Sequence, residues 1–194
     1  IIKLLLLILL FSIQIKAQHT NLAKASTLLI EEKYSAAQAL FQQMIINDRA
    51  NEHANYYNAK CSKELFSSDA IFLYEQFLMA FPYTSFIQQL NEDLALLYYR
   101  DLDYSKAIKY FLQFKSLEQR PDLVFKLAYA NFSIDSLVDA QYYFSKLINT
   151  ETKYAKTAQY YSAYIAYQNG LYKAALNGFN HLISDEQFGS IIPY

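Results

Sequence analysis

The side chains that could do metal or nucleophilic chemistry are few and lie far apart along the chain. None of the three histidines, His19, His53 and His181, forms a His-x-x-x-His or Cys-x-x-Cys spacing with another ligand. Those spacings bring two ligands to one metal ion, so no metal site is predicted. Cys61 is the single cysteine. An intrachain disulfide is therefore excluded, and we expect Cys61 to fill space on the buried face of a helix.

Neither the carboxylates nor the glycines of the sequence form a pattern that indicates a catalytic or phosphate-binding site. Three adjacent acidic pairs, at positions 31–32, 92–93 and 185–186, are interpreted as solvated helix ends rather than as acid–base pairs. A phosphate-binding loop, a nucleophile elbow or a dinucleotide fingerprint needs several closely spaced glycines, and the chain has three glycines in all. The sequence therefore predicts no cofactor, no metal and no enzymatic activity.

Composition and charge narrow the class of protein. The 17 basic and 18 acidic residues give a formal net charge of −1, so the basic footprint of a nucleic-acid-binding protein is absent and no nucleic-acid partner is expected. Hydrophobic residues make up 54 % of the chain, whereas Gly and Pro number three each. So few helix breakers predict an almost wholly helical protein. The 19 tyrosines combine an apolar ring with a polar hydroxyl, which suits half-buried seams and binding grooves.

The first 18 residues have the pattern of an export signal. Lys3 precedes an apolar run from Leu4 to Phe11, which suits the apolar core of a signal peptide and is shorter than the roughly 20 residues of a bilayer span. Cleavage is expected after Ala17, and an uncleaved N-terminal anchor, the one membrane contact expected, is the alternative. The Ala-Gln ending is similar to export signals of Bacteroidetes, which implies a periplasmic or cell-envelope location.

An alanine followed four residues later by an aromatic occurs five times at nearly regular intervals. The alanines lie 33, 37, 33 and 35 residues apart, and a period near 34 residues indicates an array of helical hairpins. We expect the alanine to permit close helix contact and the aromatic to fill the seam beside it, so these pairs pack repeats together and do not bind a partner. The pairs are Ala37 and Phe41, Ala70 and Tyr74, Ala107 and Phe111, Ala140 and Phe144, and Ala175 and Phe179.

The periodic pattern predicts how the chain is organised. A signal peptide is expected over residues 1–18, a helical array over 19–190 and the start of a further helix over 188–194. Because the sequence begins without Met and stops inside that expected helix, we interpret the chain as an N-terminal fragment of a longer protein. The five hairpins are expected at approximately 20–50, 53–83, 90–121, 122–152 and 155–187.

The five segments resemble tetratricopeptide repeats (TPR) over about residues 20–187. The small residue that the family has in its first helix falls on alanine in four repeats, and Asn58 stands there in the second repeat. The resemblance implies an all-α, right-handed α-solenoid of about five helix-turn-helix hairpins. An ordinary helical bundle with coincidental spacing is the alternative. The four alanines are Ala25, Ala95, Ala128 and Ala163.

The resemblance also implies that the first helices line a concave groove that binds a segment of another protein or a peptide. The family's groove positions fall on mild residues in the first two repeats, among them Ala59 and Ser62, and on aromatic residues later in the chain. The alternative is that these aromatics pack against a following repeat that is missing from the expected fragment. The predicted partner-binding residues are Tyr99, Arg100, Phe125, Tyr129, Phe132, Tyr160, Tyr164 and Tyr167.

A non-catalytic interaction scaffold of the periplasm or cell envelope is the leading functional hypothesis. One alternative is the periplasmic sensor region of a longer signalling protein, such as a histidine kinase or a regulator. Another is a component related to outer-membrane protein assembly, whose lipoproteins are similar short TPR arrays. The lack of a lipid-anchor cysteine at the expected cleavage point weighs against the second alternative.

Overall fold

A computed structural model describes residues 21–183 of this chain, and this part consists of helices and turns without a β-strand. The signal peptide predicted over 1–18, His19, the acidic pair at 185–186 and the further helix predicted over 188–194 lie outside the described residues. The chain divides into two compact units, Ile1–Leu90 and Asn91–Tyr194. The boundary between them falls inside a helix.

The described part of the first unit contains two helical hairpins. Helix α2 packs on α3, and α3 packs on α4. A buried cluster that includes Ala25, Ala37, Phe41 and Cys61 holds the first hairpin against α3. The prediction of a buried, space-filling Cys61 is confirmed, and burial raises the pKa of its thiol to about 11. The helices are α1 over residues 21–30, α2 over Tyr34–Asn47, α3 over Glu52–Glu64 and α4 over Ala70–Ala80.

The described part of the second unit contains three more hairpins, the first of which begins with the helix that crosses the unit boundary. Contacts run in chain order from α6 to α7, from α7 to α8, from α8 to α9 and from α9 to α10. A short 3-10 helix, Leu117–Gln119, precedes α7. The helices are α5 over Ile87–Arg100, α6 over Tyr104–Phe111, α7 over Pro121–Ser133, α8 over Leu137–Ile148, α9 over Ala155–Gln168 and α10 over Tyr172–Asn180.

Local side chains set where several helices begin. The side-chain oxygen of Asn51 accepts a hydrogen bond from the Ala54 backbone N–H at the start of α3, over 2.9 Å. Asp103 accepts in the same way from the Lys106 backbone N–H at the start of α6, over 3.2 Å. Both caps satisfy N–H groups that have no partner inside the helix. Pro121 opens α7, where its fixed φ fits and its missing N–H is not needed.

The first helix of every described hairpin ends with the same backbone geometry. The second residue after the helix has a positive φ, which caps the C-terminal turn with a left-handed residue. In α9 this residue is Gly170, with φ of 74°, as a glycine after a helical run predicts. The other four positions carry side chains, with φ between 54° and 61°: Glu32, Phe66, Leu102 and Asp135.

This repeated geometry corrects the alignment of the second repeat. In each hairpin a buried alanine lies seven residues before the left-handed residue, and in the second hairpin that alanine is Ala59, not Asn58. Phe66 precedes Ala70 by four residues, whereas the corresponding interval is five in the other hairpins. Counting backwards from Ala70 was therefore wrong by one position. Ala59, expected to face the groove, is wholly buried.

Candidate functional site

Rings from three first helices, together with Tyr104 at the start of α6, form one continuous cluster in the second unit. Tyr99 of α5 lies 6.3 Å from Tyr129 of α7, measured between ring centroids, and Tyr129 lies 5.5 Å from Tyr161 of α9. Phe132 of α7 lies 5.9 Å from Tyr164 of α9. We call this cluster the aromatic face. Its residues are Tyr99, Tyr104, Phe125, Tyr129, Phe132, Tyr160, Tyr161 and Tyr164.

Helical spacing explains how these rings come to lie on one side of their helices. Phe125, Tyr129 and Phe132 follow one another at intervals of four and three residues on α7. Tyr160 and Tyr164 are likewise four residues apart on α9. Residues at these intervals share a helix face, so successive helices add rings to a common surface.

The rings of α7 are engaged by the hairpin that follows them. Phe125 stacks on Tyr154 with centroids 5.3 Å apart. Tyr161 stacks on Phe144 at 5.1 Å and also meets Phe132 at 5.2 Å. The next hairpin of the same chain therefore covers the inner sides of the α7 rings. Because Phe125 and Phe132 are only partly buried, part of each ring still faces the surface.

The last described hairpin presents an open cleft between α9 and α10. Tyr164 is 36 % exposed and Tyr167 is 57 % exposed, so these rings are more open than those of α7. The cleft has a volume of about 480 Å³, and none of its lining side chains is charged. We call it the end cleft. Its lining residues are Tyr160, Tyr164, Tyr167, Tyr172, Ala175, Leu176 and Phe179.

Two basic residues, Lys126 and Arg100, lie at or next to Tyr99 of the aromatic face. Burial, with the nearby hydroxyls of Tyr104 and Tyr129, raises the pKa of Tyr99 to about 12. The Tyr99 hydroxyl is therefore a neutral hydrogen-bond donor at physiological pH. The ammonium group of Lys126 lies 5.4 Å from the centroid of the Tyr99 ring, within the range of a cation–π contact. Arg100 is exposed, and its Nε lies 3.0 Å from the carboxylate of Asp101.

An ionic cluster joins the N-terminal parts of α5 and α7. The guanidinium of Arg120 lies 3.1 Å from the Glu92 carboxylate and 3.0 Å from the Asp122 carboxylate. Hydrogen bonds from Arg120 lower the pKa of the Asp122 carboxyl group. The three side chains together carry a net charge of −1, and Glu92 is already paired with Arg120.

The structure thus brings most of the predicted binding residues together and distributes them over two surfaces. Arg100 stands apart at the exposed end of α5, and Tyr167 lines only the end cleft. Sequence reasoning missed Tyr154 and Tyr161. Tyr161 corresponds to Lys126 in the preceding repeat, 35 residues earlier. Comparing equivalent positions of the repeats therefore does not predict an aromatic residue there. Two adjacent tyrosines, Tyr160 and Tyr161, were the available signal.

Other chemistry receives no support from the described residues. In the stretch 21–183, no three His, Cys, Asp or Glu side chains are grouped so that they could hold a metal ion. His53 packs edge-on against Phe86 at 5.2 Å between ring centroids, which is a packing contact. Over the same stretch, no helix has both the length and the apolar character needed to cross a membrane.

Comparison with known proteins identifies the fold through structure rather than sequence. No family model and no curated protein matches this chain. The solved structure of YrrB, described as a TPR protein with an unusual peptide-binding site, matches 87 % of this chain and 86 % of its own, with a TM-score of 0.69 and 16 % identity. MamA AMB-1 matches 91 % of this chain and 98 % of its own, with a TM-score of 0.71 and 17 % identity. The expected fold class is confirmed: this chain has the helical-hairpin solenoid fold of TPR proteins.

Proposed function

We propose that this chain is a non-catalytic interaction scaffold that binds a segment of another protein on the aromatic face. The observation that carries the proposal is the unbroken succession of rings from Tyr99 through Tyr129, Tyr161 and Phe132 to Tyr164, reached from three helices. Contiguous apolar surface of this kind, centred on tyrosines, is typical of interaction sites. The peptide-binding description of the fold relative YrrB supports the same class of function.

The chemistry of the face indicates the kind of segment that it would bind. Tyrosine rings are rigid and provide flat apolar area, and their hydroxyls can bond to the backbone of a partner. Lys126 places an ammonium group over the face, through its contact with Tyr99. We therefore expect a partner segment with aliphatic or aromatic side chains and little net charge.

Binding can be tested with peptides selected by phage display against the full chain and measured by fluorescence anisotropy. Tyr164→Ala should weaken a selected peptide about tenfold or more, because truncating an exposed aromatic that contacts the partner often costs about 2 kcal/mol. Tyr83→Ala is the matched control, since Tyr83 is 99 % exposed and lies in the first unit. Peptides that bind Tyr164→Ala and the unmodified chain equally well would contradict the proposal.

The location of this scaffold is a separate part of the proposal. We place it outside the cytoplasm, in the periplasm or envelope, because Lys3 and the apolar run from Leu4 to Phe11 have the pattern of an export signal. Fusing residues 1–18 to an alkaline phosphatase that lacks its own signal tests this directly. Phosphatase activity is expected in the periplasmic fraction, and activity confined to the cytoplasm would refute export.

A further inference from the structure

The dipeptide Asn-Gly occurs twice in the sequence, and its two copies have different backbone surroundings. Asn169 and Gly170 lie in the turn between α9 and α10, whereas Asn177 and Gly178 lie inside α10. The side chains of both asparagines are exposed. An asparagine before glycine is prone to lose its side-chain amide, because glycine has no side chain to hinder attack by its own backbone nitrogen.

The turn leaves the first of these pairs open to that reaction. No atom lies within 4 Å of a Cβ built on Gly170, so no neighbouring group crowds this side of the glycine. Asn169 has φ of −82° and ψ of 6°, and attack requires a rotation about its Cα–C bond. At the reacting nitrogen this rotation breaks one hydrogen bond, which the Gly170 N–H donates to the Tyr167 carbonyl over 3.0 Å. Opening of a surface turn by one hydrogen bond is a local event that requires little free energy.

The helix protects the second pair from the same reaction. Gly178 is buried, and a Cβ built on it would lie 2.7 Å from the Cβ of Ala163. Its N–H lies within α10, where each N–H donates to the carbonyl four residues earlier. Rotation about the Cα–C bond of Asn177 would therefore break the helix and separate Gly178 from α9. The two copies of one dipeptide thus differ in backbone freedom and not in the exposure of the asparagine.

We propose that Asn169 is a site of spontaneous deamidation in the folded chain. The backbone nitrogen of Gly170 loses its proton and bonds to Cγ of Asn169. The bond from Cγ to Nδ2 breaks, and the side-chain amide leaves as ammonia, so that a five-membered succinimide remains. Water then adds to one of the two succinimide carbonyls and opens the ring to aspartate or isoaspartate. Water is consumed and ammonia is released, and no other reactant is needed.

Both products place a negative charge beside the end cleft. Tyr167 and Tyr172 flank the turn, with ring centroids 5.7 Å apart, and both line this cleft, none of whose lining side chains is charged. Isoaspartate also lengthens the backbone by one carbon directly before the left-handed Gly170. In the other four described turns the residue before the left-handed residue is not asparagine. Among the described hairpins, the fifth is therefore the one whose turn would be altered.

Incubating the folded full chain at mildly alkaline pH in ¹⁸O-labelled water, followed by tandem mass spectrometry, tests this site. The label marks only the deamidation that occurs during the incubation. Trypsin cleaves after Lys156 and Lys173, so the two Asn-Gly pairs fall in separate peptides. Deamidation at Asn169 should be at least about tenfold faster than at Asn177, because α10 must open before Gly178 can react.

The same incubation in urea gives the reference without folded structure, and there the two asparagines should react at similar rates. Equal ratios of the two rates in the folded and the unfolded chain, or a faster reaction at Asn177 in the folded chain, would overturn the proposal.

A variant identifies the attacking nitrogen. Gly170→Ala should slow the reaction at Asn169 severalfold in urea, where stability has no influence, because a side chain hinders the attack. An unchanged rate in this variant would show that the backbone nitrogen of Gly170 does not attack and would refute the proposal. The inference does not rest on the proposed function, since every measurement is made without a partner.

Discussion

Small residues decide how closely the helices of each hairpin approach one another. Ala25, Ala95 and Ala107 are wholly buried. Gly178 of α10 shows how little space is left, because a Cβ atom built there would lie 2.7 Å from the Cβ of Ala163 in α9. Contacts this short require a side chain or the backbone to move, so these positions tolerate enlargement poorly.

Enlarging one of these alanines tests this interpretation. Ala107→Leu should lower the free energy of unfolding by about 1–3 kcal/mol, because three additional carbon atoms must be accommodated at a wholly buried position. Thermal unfolding followed by circular dichroism gives the change. Ser105→Leu, on the exposed side of the same helix, is the control and should change stability by less than about 0.5 kcal/mol. If the Ala107→Leu protein were as stable as the control, Ala107 would not lie in the close helix contact inferred for α6.

At the scale of the element, the turn inside each hairpin depends on one left-handed residue. Leu102, with φ of 61° and a 68 % exposed side chain, adopts this backbone at a position where glycine would be unstrained. Gly170 occupies the corresponding position in the fifth hairpin. No atom lies within 4 Å of a Cβ built on Gly170, so the conformational preference of the backbone can be measured there without a steric clash.

Removing the glycine at one left-handed position and adding a glycine at another should change the free energy of unfolding in opposite directions. Gly170→Ala should lower the free energy of unfolding by about 1 kcal/mol, and Leu102→Gly should raise it by up to about 1 kcal/mol. Urea unfolding measures both. Leu112→Gly is the matched control, because Leu112 is also exposed but has φ of −67°. A Leu112→Gly variant stabilised as much as Leu102→Gly would exclude backbone strain as the cause.

The sequence predicted the fold where the same residue types recur in every repeat. It predicted residue positions less well where the spacing departs from the regular period. The five alanine–aromatic pairs were enough to predict stacked hairpins, because close helix contact imposes the same residue types in every repeat. Asn58 was misplaced because the interval between Phe66 and Ala70 is one residue short, and helix faces rotate by about 100° per residue. The contacts of Tyr161 were not predictable, since they depend on rings of the preceding hairpin that are distant in sequence.

At the scale of the whole molecule, each unit contains a weakly acidic group that resists ionisation, the buried Cys61 in one and the partly buried Tyr99 in the other. Burial raises the pKa of Cys61 in the first unit to about 11 and that of Tyr99 in the second unit to about 12. In the unfolded chain these groups ionise nearer their ordinary pKa values of 9.0 and 10.0. The folded state therefore binds protons more tightly than the unfolded state over this alkaline range.

Stability should consequently fall as the pH rises through this range. The contribution of both groups is complete below about pH 9 and is lost as the pH approaches their folded-state pKa values of about 11 and 12. Urea midpoints measured between pH 8 and pH 11 should decrease, and Cys61→Ala combined with Tyr99→Phe should flatten the decrease. Tyr83→Phe is the control for losing an exposed hydroxyl. An unaltered slope in the double variant would contradict this assignment.

The connections between hairpins differ in length, whereas four of the five described turns within hairpins have three residues. The positions between successive hairpins are 48–51, 81–86, 112–120 and 149–154. A foreign epitope or fluorescent tag would therefore be best inserted between hairpins, next to Tyr83, whose side chain is 99 % exposed. The same insertion beside Leu102 would separate the left-handed residue from the helix that it caps. The loops between hairpins can therefore be lengthened, whereas the turns within hairpins cannot.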